Sequence, residues 1–384
     1  MEKFFATCPR GLEQLLAEEL QQLKAEDIHA AGGGVEFGGD FPLCYRANLE
    51  SRIASRILWR VAKTRYRSED DIYGAAYDLP WNHWFEPEHT IRVDLSAVKS
   101  PLTSLNFATL KIKDAVCDKF RRLSGRRPSV DTRQPDVPIQ GHLTAGDFTL
   151  YLDTTGEPLF KRGRRVAPGE APLRENLAAG ILRLAGWQPG NPLLDPMCGS
   201  GTFLMEAAQI ALDIAPGAGR RFAFEKLKNF DKRTWQGLLQ QSAARQKPRV
   251  PLPIYGSDFS NAALKSARVN LASAGLEQAV SLKQADVLEI SAPAEHGIIV
   301  TNPPYGVRLG EQRELAEFYP KLGDVLKKKF SGWRAYILSA DMRLPKLIRL
   351  AASKRTPLFN GPLECRLFEY KMVEGGMRQK KPEA

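Results

Sequence analysis

The chain has 384 residues, 43% of them hydrophobic and 26% charged, a balance ordinary for a globular protein of two or three domains. No apolar run approaches the roughly 18 residues of a membrane span, and the opening MEKFFATCPRGLEQLLAEEL lacks the basic start and apolar core of a signal peptide, which favours the cytoplasm. Lysine plus arginine number 55 against 44 for aspartate plus glutamate, and the resulting net charge of +11 suits a polyanionic partner.

Five cysteines (Cys8, Cys44, Cys117, Cys198 and Cys365) and five histidines are scattered along the chain. Neither type forms a metal-ligand spacing, so reduced structural thiols are expected, with no zinc site and no Ser-His-Asp machinery.

Residues 1–65 read as a small α/β unit. KFFAT (3–7) is a strand, and Leu12, Leu15, Leu16, Leu20 and Leu23 recur with helical spacing. GGGVEFGGD and RIASRILWRVAKTRY read as two further strands. Residues 66–160 form a second α/β stretch. It contains the strand TIRVDLSAV (90–98), a helix over 106–123 with Leu110, Val116, Phe120 and Leu123 on its apolar face, and two strands in 137–156 joined by AGD. Two basic clusters belong to this region. One holds Arg121, Arg122, Arg126 and Arg127; the other is KRGRR, with Lys161, Arg162, Arg164 and Arg165. Each alone suits a solvated face. Two clusters bracketing one small domain favour an edge that meets RNA or DNA.

From about residue 166 onward helix and strand signals alternate, the mark of βαβ units and a parallel sheet. LLDPMCGSGT (193–202) is a strand, a glycine-rich turn and a helix start. Gly199 and Gly201 let the backbone bend and approach a ligand, and the helix N-terminus favours an anionic group. A dinucleotide, a mononucleotide and S-adenosylmethionine are the candidate ligands. Leu204 stands where a dinucleotide fingerprint wants its third glycine, and no Gly-Lys-Ser/Thr of a P-loop is present. S-adenosylmethionine remains: its carboxylate suits the helix N-terminus, and its positive groups suit nearby acids such as Asp195. A basic, partly helical insertion (216–250) interrupts the βαβ rhythm. GSDFS then brings Asp258 and Phe259 to the next strand end, where an acid typically holds ribose hydroxyls. QADVLEI brings Asp286 and Val287 to the third, for the adenine side.

The fourth strand, GIIVTN, stops on Asn302, Pro303, Pro304 and Tyr305. An exocyclic amine is a poor nucleophile because its lone pair is delocalised into the ring. Two carbonyls aimed at its hydrogens, from the Asn302 side chain and the Pro303 main chain, would orient it and offset the charge it gains. The prolines stiffen the corner, and Tyr305 can stack on a flipped base.

DPMCGSGT and NPPYG resemble the cofactor and catalytic motifs of class I S-adenosylmethionine-dependent methyltransferases acting on exocyclic amines. ATCPRGLEQLLAEEL, LDTTGEPLFKRGRR and APLRENLAAGIL are similar to a narrower group, the THUMP-domain methyltransferases that make N2-methylguanine in large-subunit ribosomal RNA. The resemblance implies an α/β fold: a ferredoxin-like domain (1–65), an RNA-binding THUMP domain (66–160) and a Rossmann-like methyltransferase domain (161–384). It implies a catalytic corner of Asn302, Pro303, Pro304 and Tyr305. It implies a cofactor site with Asp195, Pro196, Cys198, Gly199, Gly201 and Thr202 on the methionine side, and Asp258, Phe259, Asp286 and Val287 on the nucleoside side. Some relatives carry a second, fused methyltransferase. If a second activity on the same RNA is needed, it would come from another protein. Transfer RNA is the alternative substrate, and a non-catalytic RNA-binding assembly factor is the alternative of a different class.

Overall fold

The protein is described from a computed structural model covering residues 1–162, 173–303 and 309–373, without the side chains of 309–314. The chain begins with β1 (Glu2–Thr7), α1 (Glu13–Gln22), β2 (Glu26–Ala31), β3 (Gly34–Gly39), α2 (Pro42–Glu50) and β4 (Arg56–Arg65). It continues through α3 (Glu69–Tyr77), β5 (Ile91–Ala97), α4 (Leu105–Ser124), β6 (Val137–Leu143) and β7 (Asp147–Asp153). Then come α5 (Glu175–Leu184), β8 (Leu193–Asp195), α6 (Thr202–Ala211), α7 (Lys232–Arg245), β9 (Ile254–Asp258), α8 (Asn261–Ser273) and β10 (Ser281–Gln284). The last elements are β11 (Gly297–Thr301), α9 (Leu309–Lys329), β12 (Trp333–Ser339), α10 (Leu344–Leu347), β13 (Lys354–Asn360) and β14 (Leu363–Lys371). Among the described residues no helix is long and apolar enough to cross a membrane.

The chain divides into two compact units, one of residues 1–8, 16–160 and 215–244, the other of 9–15, 161–214 and 245–384. The first unit is built on one seven-stranded sheet, ordered β2-β3-β1-β4-β7-β6-β5. Strand β4 pairs with β1 on one side and β7 on the other, so one sheet runs through the sequence boundary at 65/66. The LDTTG phrase has a structural role here. Thr154 and Thr155 hydrogen-bond buried Asn48 at 2.9 and 2.6 Å, and Asp153 accepts from the amide of Thr155. Burying these polar groups is tolerable because each finds a partner. In α4, Ala108, Ile112, Ala115, Val116 and Phe120 form the buried face. Leu110 and Leu123, expected on that face, are about half exposed. Leu110 stands six residues from Val116, off the stripe that i, i+4, i+7 geometry defines, whereas Leu123 keeps that spacing but lies in the last turn of the helix, past its last buried residue, Phe120.

Residues 215–244, most of the insertion, pack into the first unit. The Phe224 amide donates to the Thr154 carbonyl at 3.0 Å. Tyr45 of α2 lies among Phe224, Phe230 and Trp235, with ring centroids at 4.5, 5.8 and 6.2 Å. Such aromatic packing adds directional energy to the area it buries.

The second unit holds a seven-stranded sheet ordered β10-β9-β8-β11-β12-β14-β13. Strands β10 to β12 are parallel, and β14 returns antiparallel between β12 and β13. One face is sealed by Tyr319, Leu322, Leu326 and Phe330 of the α9 region against Ile299, Trp333 and Ile337. The strand order reverses between β8 and β11, and an open parallel sheet binds its ligands beside such a switch point.

Candidate active site

Parallel pairing sets Leu193 beside Ile298 and Leu194 beside Ile299, so β8 and β11 end side by side. Asp195 therefore closes one strand and Asn302 follows the end of its neighbour. On the other side Asp195 is level with Gly256 of β9, and Asp258 with Gln284 of β10. The four chemistry-bearing strand ends thus lie along one edge of the sheet.

The glycine-rich turn is held from below. The Cys198 amide donates to the Ser257 carbonyl at 2.9 Å, and the Gly199 amide to Asp258 Oδ2 at 3.0 Å. Asn270 of α8, fully buried, donates from Nδ2 to the Ser200 carbonyl at 3.1 Å. The two glycines serve different needs. Gly199 has φ +52°, and a Cβ there would meet open space, which leaves room for a ligand against the backbone. Gly201 has φ +84°, and a Cβ there would stand 3.3 Å from Ala267, so it admits α8 against the turn. The helix α6 then starts at Thr202, with Gly201 as its N-cap.

Leu204 is fully buried, and a Cβ on Gly256 would stand 2.3 Å from its Cδ1. The close helix-to-strand approach that a third turn glycine usually permits is made here by a glycine on the strand.

Asp195 is buried, and burial pushes its carboxyl up to about 7 against smaller pulls from Thr301 and the Met197 amide, with the nearby charge of Asp258 adding the least, in the direction of burial. A cation placed beside it restores the ionised form. Asp258 is buried too, but both of its oxygens already accept amides, from Gly199 and Ser260. Each oxygen has a second lone pair. Asp258 thus braces the turn, and still has acceptor capacity for hydroxyls. Phe259 is 76% exposed, an unusual state for a phenylalanine and one suited to covering a flat ring. Asp286 is exposed, with Oδ1 accepting the Leu288 amide at 2.9 Å, and Val287 is buried beside it. Pro196 is buried, and its carbonyl accepts from the Ser257 hydroxyl at 3.4 Å.

Burial pushes the Cys198 thiol well above the ordinary thiol range, with Asp195 and Asp258 adding to the rise. It cannot supply a thiolate near neutral pH. Asn302 is half-buried and Pro303 buried. Pro304 and Tyr305 lie outside the described residues, as do Arg164, Arg165 and the basic tail from 374. Sequence reasoning passed over Asn270 and Gly256. Asn270 sits in an ordinary helix pattern, and Gly256 reads only as a weak strand residue.

The residues present fit S-adenosylmethionine. An α-helix N-terminus follows an open glycine, a buried acid favours a cation, and an exposed aromatic sits beyond a ribose-level acid.

The basic clusters divide. Arg121, Arg122, Arg126, Arg127 and Lys161 are exposed. Arg121 pairs with Asp118 at 2.8 Å, Arg126 pairs with Glu88, and Arg122 lies 5.5 Å from the Tyr77 ring. Arg162 corrects the expectation: it is 5% exposed and pairs with buried Glu206 of α6 at 2.7 Å. A guanidinium enclosed in that way cannot meet a nucleic acid, so its role is structural.

The sheet order, its switch point and the glycine-rich turn define a Rossmann-like methyltransferase fold. Residues 162–369 match the RMKL-like methyltransferase domain, 66–153 the THUMP domain and 3–58 the RlmL ferredoxin-like domain. The ribosomal RNA large subunit methyltransferase K/L of Aeromonas hydrophila is 41% identical over 99% of this chain and 56% of its own length. This chain thus spans about half the length of the K/L relatives it matches. The Synechocystis sp. protein slr0064, named as an RNA methyltransferase, is 39% identical over 96% of both chains. The crystal structure of SMU.472, a methyltransferase complexed with SAH, superposes with a TM-score of 0.88 at 30% identity, over 98% of this chain and 99% of that one. The chain belongs to the family of THUMP-bearing, RMKL-like methyltransferases.

Proposed function

We propose that the protein methylates the exocyclic N2 amine of a guanine in large-subunit ribosomal RNA, with S-adenosylmethionine as methyl donor. The observation that carries this reading is the parallel register of β8 and β11, which sets the cofactor turn and the Asn302 corner at neighbouring strand ends. The donor supplies an electrophilic methyl on a sulfonium. Asn302 and the Pro303 carbonyl hold the amine hydrogens, so the lone pair points along one line and the developing positive charge is offset. Tyr305 stacks on the base once it is turned out of its helix. Asp195 holds the donor's ammonium, and Asp258 with Asp286 hold its ribose and adenine. In this reading the ferredoxin-like part covers 1–65, the THUMP part 66–160 and the catalytic part 161–384. The K/L name of the relatives and the THUMP match support RNA as substrate.

The test is mass-spectrometric mapping of methylated nucleotides in ribosomal and transfer RNA from cells with and without the protein. Loss of one N2-methylguanine from large-subunit RNA is expected. A full methylation map without the protein, or a loss confined to transfer RNA, overturns the assignment.

A further inference from the structure

Within the first unit, the insertion carries a groove of about 790 Å³. It is lined by Phe222, Phe230 and Trp235 and by the charged side chains of Arg221, Lys226, Lys232 and Glu225. We propose that this groove holds a stretch of unpaired nucleotides of the RNA substrate, apart from the base that is methylated. The proposal rests on the reading of the substrate as RNA.

The chemistry of the groove is what single-stranded RNA requires. An apolar, aromatic wall suits unstacked bases, and a cationic rim suits the phosphates that link them. Phe230 is half-buried, so part of its ring remains available, whereas Phe222 and Trp235 are buried and pack edge to face on each other at 5.6 Å. A groove of this volume falls in the range of about 300–1,000 Å³ that small ligands occupy, enough for a short run of bases rather than a duplex.

Charge decides between RNA and an apolar protein segment. Residues 215–244 contain six basic side chains (Arg220, Arg221, Lys226, Lys228, Lys232, Arg233) and two acidic ones (Glu225, Asp231), so 6 − 2 = +4. The acids are engaged locally. Glu225 accepts from the Phe222 amide and pairs with Arg221 at 3.1 Å, while Asp231 accepts from the Arg233 and Thr234 amides. Lys226 pairs with Asp136 at 3.2 Å and Lys228 with Glu86 at 2.8 Å, whereas Lys232 and Arg233 are exposed and make no ion pair among the described residues. Thirty residues thus provide +4 of the chain's +11. A partner that matches such a rim is itself densely anionic.

The experiment uses the full chain and a fluorescent, unstructured RNA oligomer, with binding followed by anisotropy across a salt series. In the double variant Arg221→Gln/Lys232→Gln, the slope of log affinity against log salt should shrink by about 1.4, at about 0.7 for each phosphate no longer neutralised. Phe230→Ala should weaken binding by roughly fivefold or more, the range expected for a single base stack, with the slope unchanged. A 4-thiouridine oligomer should crosslink within residues 215–244. Unchanged slopes and affinities in both variants, beside firm binding by the parent, overturn the groove alone. So does crosslinking of this segment in cell extract to a protein rather than to RNA. No binding by the parent at low salt overturns the RNA reading itself.

Discussion

Asp195→Asn should move two properties in opposite directions. The carboxyl sits at about 7 in the fold, against about 3.9 in an unfolded chain. Below pH 4 it is protonated in both states and costs the fold nothing. Between about 4 and 7 the unfolded chain releases the proton first, so stability falls as pH rises. Above 7 the carboxylate is ionised in both states and the full penalty is present. Three units at about 1.36 kcal/mol each amount to roughly 4 kcal/mol. The asparagine variant has no such titration, and without cofactor should gain up to about that amount over the parent at pH 8, with little difference at pH 4.5. Urea denaturation of both proteins at several pH values reads this directly. Cofactor binding should respond in reverse. The ammonium of S-adenosylhomocysteine favours the carboxylate, so the parent's affinity should rise about tenfold per pH unit up to 7 and then level. The variant should bind weakly, with no such slope. Parallel stability curves for the two proteins from pH 4.5 to 8 would refute the buried-acid argument, whatever the binding data showed.

Asn302→Ala should abolish methyl transfer in single-turnover assays while the dissociation constant for S-adenosylhomocysteine stays within about twofold; near-normal turnover would sink the proposed amine contact. Asp258→Ala should weaken cofactor binding by about tenfold or more, since it removes both a hydroxyl acceptor and the brace on the Gly199 amide, worth about 1.5–3 kcal/mol as a charged hydrogen bond; an unchanged constant in calorimetry would show a turn residue only. Arg162→Met should destabilise the fold by about 3–5 kcal/mol because it strands buried Glu206, and Arg162→Met/Glu206→Leu should recover most of the loss. Equal denaturation midpoints for the parent and the single variant would contradict the pair's importance.

The cofactor turn was legible because local signals agree there: an apolar strand, two glycines and a helix start are all short-range. The end of β11 just before Asn302 was legible for the same reason, because prolines must stop a strand there. What escaped depends on partners distant in sequence. KRGRR reads as four similar basic residues around a glycine, yet Arg162 is enclosed by Glu206, 44 residues on. Strand β2 (EDIHAA) is nearly all exposed and shows no apolar alternation, so it is found only through its pairing with β3. Strand β13 carries Pro357, which weakens it as a strand signal although an edge position tolerates it. The packing of Leu204 on Gly256 shows how a motif's missing letter can be supplied by another strand.

The order in which the chain is synthesised bears on the aromatic cluster around Tyr45. Its sheet is complete in sequence once β7 has emerged, but Phe224, Phe230 and Trp235 follow far behind. From residue 160 to residue 244 is 84 residues, about 4–17 s of ribosomal elongation at 5–20 residues per second. For that interval Tyr45 has the ring of Phe41 beside it but lacks the three that come later. The nascent unit is then both incomplete and sticky, and the late insertion closes it. Slowing translation between these positions should lower the yield of folded protein more than slowing it after residue 244.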